Sequence, residues 1–335
     1  MSFAPARHRN GGRGRRASLL AASSLLAFVL ASPSPASSAT TGVWRVNPDS
    51  ALVGRTLAYV ARHEDTLLDV ARRFGMGLAE MQLANPGVDL WIPGEGTVIR
   101  LPSRFILPAA PRSGVVINVR EMRIYYYSKD RAVVRTWPIS IGRVGWETPL
   151  GETRIVRKAV RPSWTPPESI REEYRERGEP LPRVVRPGPD NPLGSHALYL
   201  GFPAYLIHGT NRPFSIGMRV SHGCVRMYPE HIVELFDLAE NGTPVTLVDQ
   251  GIKTGWAGRE LYMEIHPEAD VPDPQARPRM SDAVSSIIAT LPRGGPPVTI
   301  DWNRVEDALA AADGVPVVVG RLKPARSSGE GISSG

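Results

Sequence analysis

Cys224 is the only cysteine in a chain of 335 residues, and it lies in "SHGCVRM", Ser221 to Met227, sixteen positions after His208 of "YLIHG". A thiol attacks carbon only as the thiolate, and at an ordinary pKa of about 8.5 it is mostly protonated near neutrality. A cysteine nucleophile therefore needs a base, and histidine is the usual one. His208 closes an apolar strand, while Cys224 follows a polar loop in a glycine-bearing turn, so two neighbouring strands would carry imidazole to sulfur. Gly223 lets the backbone approach a substrate closely, and the Gly223 and Cys224 amides would face the oxygen that turns negative during attack. Two other chemistries compete. A free cysteine is often a small core filler, but "SHGCVR" is polar around the thiol. Zinc held by His208, His222 and Cys224 is the second, yet ligands two apart do not follow the common spacings and no paired-cysteine or "HExxH" pattern accompanies them. No metal and no cofactor is expected. His196 and His231 read as ordinary surface or helix residues.

The elements that must carry this pair are mostly strands. From Ser113 onward, "VVINV", "IYYYS", "AVVRTWPISIG", "ALYLG", "AYLIHG" and "TPVTLVD" are short β segments between polar turns. "PEHIVELFDLAENG" reads as a helix with Pro229 at its start and Gly242 beyond its end. The charged "PPESIREEYRERGEPLP" is a helical insertion or lid, with a solvated surface helix as the plainer reading. Upstream, "TTGVWRVNPDSALVGR" is an extended lead-in. Thr66 caps a helix with Leu67, Leu68, Ala71 and Phe74 on one face, and Gly75 stops it. A second short helix spans Leu78 to Leu83, and Thr97 to Leu101 is a closing strand. "SRFILPAAPR", Ser103 to Arg112, reads as a linker. After a proline-rich bridge, Pro267 to Pro278, come a helix near Ser281 to Leu291, strand "PVTI", a helix from Trp302 and strand "VPVVVG". Trp302, Val305 and Leu309 share a face expected to dock on the main domain.

The N-terminus has a different texture. Basic "ARHRNGGRGRR", apolar "ASLLAASSLLAFVLA" and small, polar "SPSPASSAT" follow in the order of a signal peptide, with cleavage expected after Ala39. The apolar run is shorter than the roughly 20 residues that span a bilayer. Arg15 and Arg16 raise a twin-arginine route, against which Ser18 stands where an aromatic or leucine is preferred. Five of the 40 basic residues (Arg7, Arg9, Arg13, Arg15, Arg16) lie in this segment and no acid does, so 35 bases face 33 acids afterwards and net +7 becomes +2. That balance gives no reason to expect nucleic acid as a partner. An exported chain leaves Cys224 in an oxidising compartment with no internal partner.

Two stretches resemble known families. "DTLLDVARRFG", "LANPGVD" and "IPGEGTVIRLP", within residues 58–102, resemble the lysin motif (LysM), a small βααβ domain that binds N-acetylglucosamine-containing glycans; Glu64 stands where that family usually has glycine. "IHGTNRPFSIGMRVSHGCVRM", with "IGRVGWETPLGETRIVRK", "PSWTPP" and "GPDNPLGSHALYLG", resembles the L,D-transpeptidase catalytic domain, a cysteine-dependent β-sandwich of peptidoglycan metabolism. The resemblance implies a mainly β fold over 113–267 with helical insertions, the LysM domain before it and a small α/β extension over 279–323 after it. It implies Cys224 as nucleophile, His208 as proton donor and acceptor, and Gly209, Ser221, His222, Gly223 and Arg226 around the substrate and oxyanion. Met227 stands where leucine is commoner. The implied partners are peptidoglycan stem peptides and glycan strands, with an outer-membrane lipoprotein as one acceptor, in the periplasm of a Gram-negative envelope and with no membrane span after signal cleavage. Water as acceptor would make a carboxypeptidase or endopeptidase of the same site, and loss of chemistry would leave a wall-binding protein.

Overall fold

The computed structural model describes residues 42–267 and 278–323. The expected signal peptide, most of the proline-rich bridge and the tail beyond Lys323 lie outside the described residues. The fold is mainly β. Its largest element is a nine-stranded mixed sheet in the order Val43–Arg45, Val133–Pro138, Arg123–Tyr127, Gly114–Asn118, Pro244–Val248, Gly151–Val160, His196–Leu200, Leu206–His208, Val225–Arg226. Pairing is antiparallel except between Gly114–Asn118 and Pro244–Val248 and between Leu206–His208 and Val225–Arg226, which run parallel. The lead-in expected upstream of the small unit is thus an edge strand of this sheet, Val43↔Arg135 to Arg45↔Val133.

Strand Leu57–Val60, helices α1 (Leu67–Arg73) and α2 (Leu78–Ala84), and strand Val98–Leu101 form a βααβ unit in which the two strands pair antiparallel. Thr66 caps α1 as its side chain suggests, Oγ1 accepting from the Asp69 amide at 3.0 Å. The unit does not hang on a linker. Arg104–Ile106 is a strand paired with Leu52–Gly54, and Phe105, Ile106 and Leu107 are buried. Their apolar side chains outweigh the flanking prolines as a local signal. Val70, Met81, Ile99 and Phe105 share one core with Val116, Tyr125 and Val134 of the large sheet. Arg123, fully buried, reaches from that sheet to Glu80 of α2 at 2.6 Å and lies 4.1 Å from the Phe105 ring centroid.

Helix α3 (Glu168–Glu176) interrupts the chain between Gly151–Val160 and His196–Leu200, and α4 (Pro229–Leu238) packs Ile232 and Leu235 into the sheet core. The C-terminal part forms its own four-stranded sheet, Ile252–Ala257, Glu260–Ile265, Val317–Leu322, Val298–Ile300. Helices α5 (Met280–Thr290) and α6 (Trp302–Ala311) bury Ala283, Ile287 and Val305 in its core. Two expectations change here. The strands at 252–265, assigned from sequence to the 113–267 unit, pair instead with the extension. Helix α6 docks on that sheet rather than on the main domain, through Val305 and Leu309, while Trp302 stays 47% exposed.

Lys253 fastens this extension to the rest. Its fully buried Nζ donates to Glu121 Oε2 (2.7 Å) and to the Ile106 carbonyl (2.8 Å), and lies 2.7 Å from Glu264 Oε1. Burial alone would raise the Glu121 pKa, but Lys253 and His266 nearby hold it below the ordinary value. Glu121, Glu264 and His266 present their ligand atoms within 4.8 Å of one another, and the Lys253 ammonium already supplies the cation between the two carboxylates.

Candidate active site

The parallel pairing sets the candidate pair. Ile207 is in register with Val225 and His208 with Arg226; since side chains alternate across a strand, His208, Arg226 and Cys224 project to one face. That face opens into a pocket of about 970 Å³ lined by Cys224, His208, His222, Arg226, Trp146 and Tyr205.

Cys224 is half-buried, and its thiol donates to the Ala204 carbonyl at 3.6 Å. Burial pushes its pKa up, against the smaller opposing pull of the Leu206 backbone and Arg226. His208 is buried, and burial, reinforced by Arg226, lowers its pKa to about 3. Both groups are therefore neutral at neutral pH, a thiol and a free base lining one pocket rather than a preformed ion pair. Nδ1 of His208 lies 2.6 Å from the Gly209 carbonyl. A carbonyl only accepts, so Nδ1 carries the proton and Nε2 the lone pair. Arg226, half-buried, has a buried Nε without a hydrogen-bond partner.

The turn before the thiol is braced from within. Ser221 Oγ donates to the Cys224 carbonyl at 2.5 Å and accepts from the Gly223 amide at 3.1 Å, and Thr148 Oγ1 donates to the Gly223 carbonyl at 2.9 Å. Gly223 has φ of +96°, and a Cβ there would lie 2.7 Å from the Tyr205 ring. The glycine is needed for backbone handedness and for Tyr205.

Helix α3 lies over the pocket, with Ile170 and Tyr174 in its wall. Glu173 Oε2 accepts from Arg143 at 2.6 Å and meets His222 Nε2 at 2.8 Å, while Trp146 stands edge-on to His222 at 4.8 Å between centroids. Burial alone would raise the Glu173 pKa, but Arg143 and His222 hold the carboxyl below its ordinary value. The backbones of Trp164 and Val185 pair across the neck of the excursion, 2.9 and 2.8 Å.

A family profile for the YkuD-type L,D-transpeptidase catalytic domain matches residues 112–247. The probable L,D-transpeptidase ErfK/SrfK of Escherichia coli (strain K12) is 39% identical over 285 residues, covering 81% of this chain and 88% of that protein. The chain belongs to the L,D-transpeptidase family. The probable L,D-transpeptidase YbiS of Escherichia coli (strain K12) is 48% identical over 198 residues, 58% of this chain; this chain spans 64% of that relative's length. Among solved structures, the catalytic domain of an E. faecium L,D-transpeptidase superposes with a TM-score of 0.33 and 21% identity over 42% of this chain and 99% of that one, too remote a likeness to carry an argument.

Within this family member, Cys224, His208, Ser221, His222 and Arg226 all line one pocket, and Gly209 adjoins it by orienting His208. Two details differ from expectation. The thiol's hydrogen bond runs to Ala204 and not to the imidazole. The Gly223 amide is already used by Ser221, which leaves the Cys224 amide as the candidate oxyanion donor. Glu173, Trp146 and Tyr205 carried no sequence signal of a role: α3 reads as a charged surface helix, and nothing local shows which of its four glutamates faces inward.

Proposed function

We propose that this protein is an exported L,D-transpeptidase acting on peptidoglycan, with Cys224 as nucleophile and His208 as general base. One observation supports it above the rest: the parallel strand pair that turns a neutral imidazole and the chain's single thiol toward one large pocket. The thiol proton passes to His208 Nε2 as sulfur bonds to the meso-diaminopimelate carbonyl of a tetrapeptide stem. The C–N bond then breaks, and His208 returns the proton to the departing D-alanine amine. An acceptor amine attacks the thioester, gives its proton to His208 and restores the thiol. Because the bond energy of the cleaved peptide is held in the thioester, the exchange calls for no metal or nucleotide. The Cys224 amide would donate to the oxyanion, and Arg226, Ser221, His222, Gly223 and Gly209 would shape the pocket.

The acceptor is a second diaminopimelate side chain, giving a 3-3 cross-link, or the lysine of an outer-membrane lipoprotein; water would give a carboxypeptidase. The unit at 58–102 would hold the glycan strand, and the exposed Trp91 and Ile92 on its loop offer an apolar surface for a sugar ring. The segment to Ala39 would direct the chain to the periplasm, and among the described residues no helix is long and apolar enough to cross a membrane. The test is product analysis of tetrapeptide-containing muropeptides incubated with the protein, with and without an added acceptor amine. Amine-dependent dimers or conjugates are expected. Release of D-alanine alone, equal in both arms, would instead identify a hydrolase.

A further inference from the structure

We infer that the βααβ unit is a positioning part of the active site, fixing the nucleophile-bearing segment through a backbone contact between Gly77 and Gly217. The inference rests on the proposed role of Cys224. At the start of α2 the amides of Leu78 and Ala79 donate to the carbonyls of Ile216 (3.0 Å) and Gly217 (3.3 Å). The two glycines meet so closely that a Cβ on Gly77 would lie 2.9 Å from the Gly217 Cα. From this contact the chain runs in six residues to Gly223, braced at several points, with Val220 bulging out of the pairing. The Gly217 amide donates to Ile139 (3.2 Å) and the Ile141 amide to the Met218 carbonyl (3.2 Å). Arg219–Ser221 pairs in parallel with Ile141–Gly142, the Arg143 amide donates to the Ser221 carbonyl (3.0 Å), and Ser221 Oγ holds the Cys224 carbonyl. A shift at residue 217 therefore reaches Cys224 through a backbone with little slack. The anchor itself is stiff: Glu80, three residues into α2, accepts from the Gly77 amide at 2.9 Å and pairs with buried Arg123 of the main sheet. Arg72 of α1 makes two hydrogen bonds to Glu230 of α4 at 2.8 and 2.9 Å, and Tyr228 Oη donates to the Met76 carbonyl at 3.3 Å.

Gly77 makes a clean probe, because its φ of −88° and ψ of 158° suit any residue and only the contact with Gly217 demands glycine. In the full chain, Gly77→Ala is expected to lower the acylation rate constant about tenfold or more, since small displacements of a reacting atom are costly. The concentration for half-maximal acylation should stay near wild type, and the melting temperature should fall only modestly, with the protein still folded. A second pair covers a failure of that variant to fold. Leu78→Pro removes the amide at a first helical position that suits proline, after an extended residue, and Leu78→Ala loses the same side chain but keeps the amide. Acylation is expected to be at least several-fold slower in the proline variant than in the alanine variant. The rate of Cys224 alkylation by iodoacetamide reads thiol geometry without any assumption about the substrate, so it should change in Gly77→Ala even if no transpeptidation occurs. Wild-type acylation and alkylation in a folded Gly77→Ala protein, or equal rates in the two Leu78 variants, would overturn the inference. Acylation surviving Cys224→Ala would instead overturn the reaction assignment.

Discussion

At the scale of single residues, the pair at the pocket is chemically unassisted in its resting state. Burial lowers the His208 pKa to about 3 and raises that of Cys224, so proton transfer must accompany attack. Iodoacetamide labelling of Cys224 is therefore expected to climb with pH only above the ordinary thiol range, and without an inflection near pH 6.5 from His208. A labelling step near 6.5 would mean a thiolate–imidazolium pair in place of the neutral one. Gly223→Ala confronts a φ of +96° and the Tyr205 ring, and acylation should fall by two orders of magnitude or thereabouts, measured as the rate of acyl-enzyme formation. Most of these residues are legible in the sequence, because "HG" and "SHGC" place side chains and turns together. What the sequence withholds is the competition among local hydrogen bonds: Ser221 takes the Gly223 amide, and Ala204 takes the thiol.

Among the elements, α3 departs furthest from its reading as a solvated helix. Its pattern of alternating charge is that of a surface, and the decisive contact is one carboxylate, Glu173, reaching Arg143 and His222 over a long separation in sequence. Glu173→Gln keeps the shape and removes the charge. Faster alkylation of Cys224 and weaker stem-peptide binding are expected as the helix loosens over the pocket; unchanged labelling and binding would show that α3 is held without this carboxylate. Elements with strong local signals, such as α1 behind its Thr66 cap and α4 behind Pro229, follow the sequence closely. Those decided by distant partners do not. The segment at 103–112 reads as a linker because Pro108 and Pro111 punctuate it, yet Leu52–Gly54 pairs with its first half. The strands at 252–265 look like their predecessors, and only the partner strand at 317–322 assigns them to another sheet.

Across the whole molecule, the small unit shares a core with the large sheet and the extension, with a core of its own, is tied in through buried charges, so the three parts should unfold together. Lys253 lies between two carboxylates beneath all three; Lys253→Met removes the cation they share, leaving Glu121 with only Asn118 and Tyr125 and Glu264 with only His266 and the Ile106 amide, a loss of about 3–5 kcal/mol by analogy with broken buried ion pairs. A denaturant midpoint within error of wild type would show that the network contributes nothing to stability. Two buried histidines contribute to the loss of stability in acid, at higher pH than the carboxylates held below their ordinary range. Folding lowers His208 to about 3 and His231 to about 4, mainly by burial, whereas both titrate near 6.5 when unfolded. The unfolded chain binds more protons between those values, so their contribution is complete above about pH 6.5 and is lost as pH falls toward 3–4. Urea midpoints measured from pH 7.5 to 4 should decline over that window, and His231→Phe should flatten part of the decline.

The most direct trial of the central claim is intact-protein mass spectrometry of the chain mixed with a tetrapeptide stem and quenched in acid. A covalent adduct equal to the stem less D-alanine, mapped to the Cys224 peptide, absent in Cys224→Ser and formed at least a hundredfold more slowly in His208→Gln, is the expected result. An adduct that persists in Cys224→Ser, or a His208→Gln protein that acylates at the wild-type rate, would contradict it.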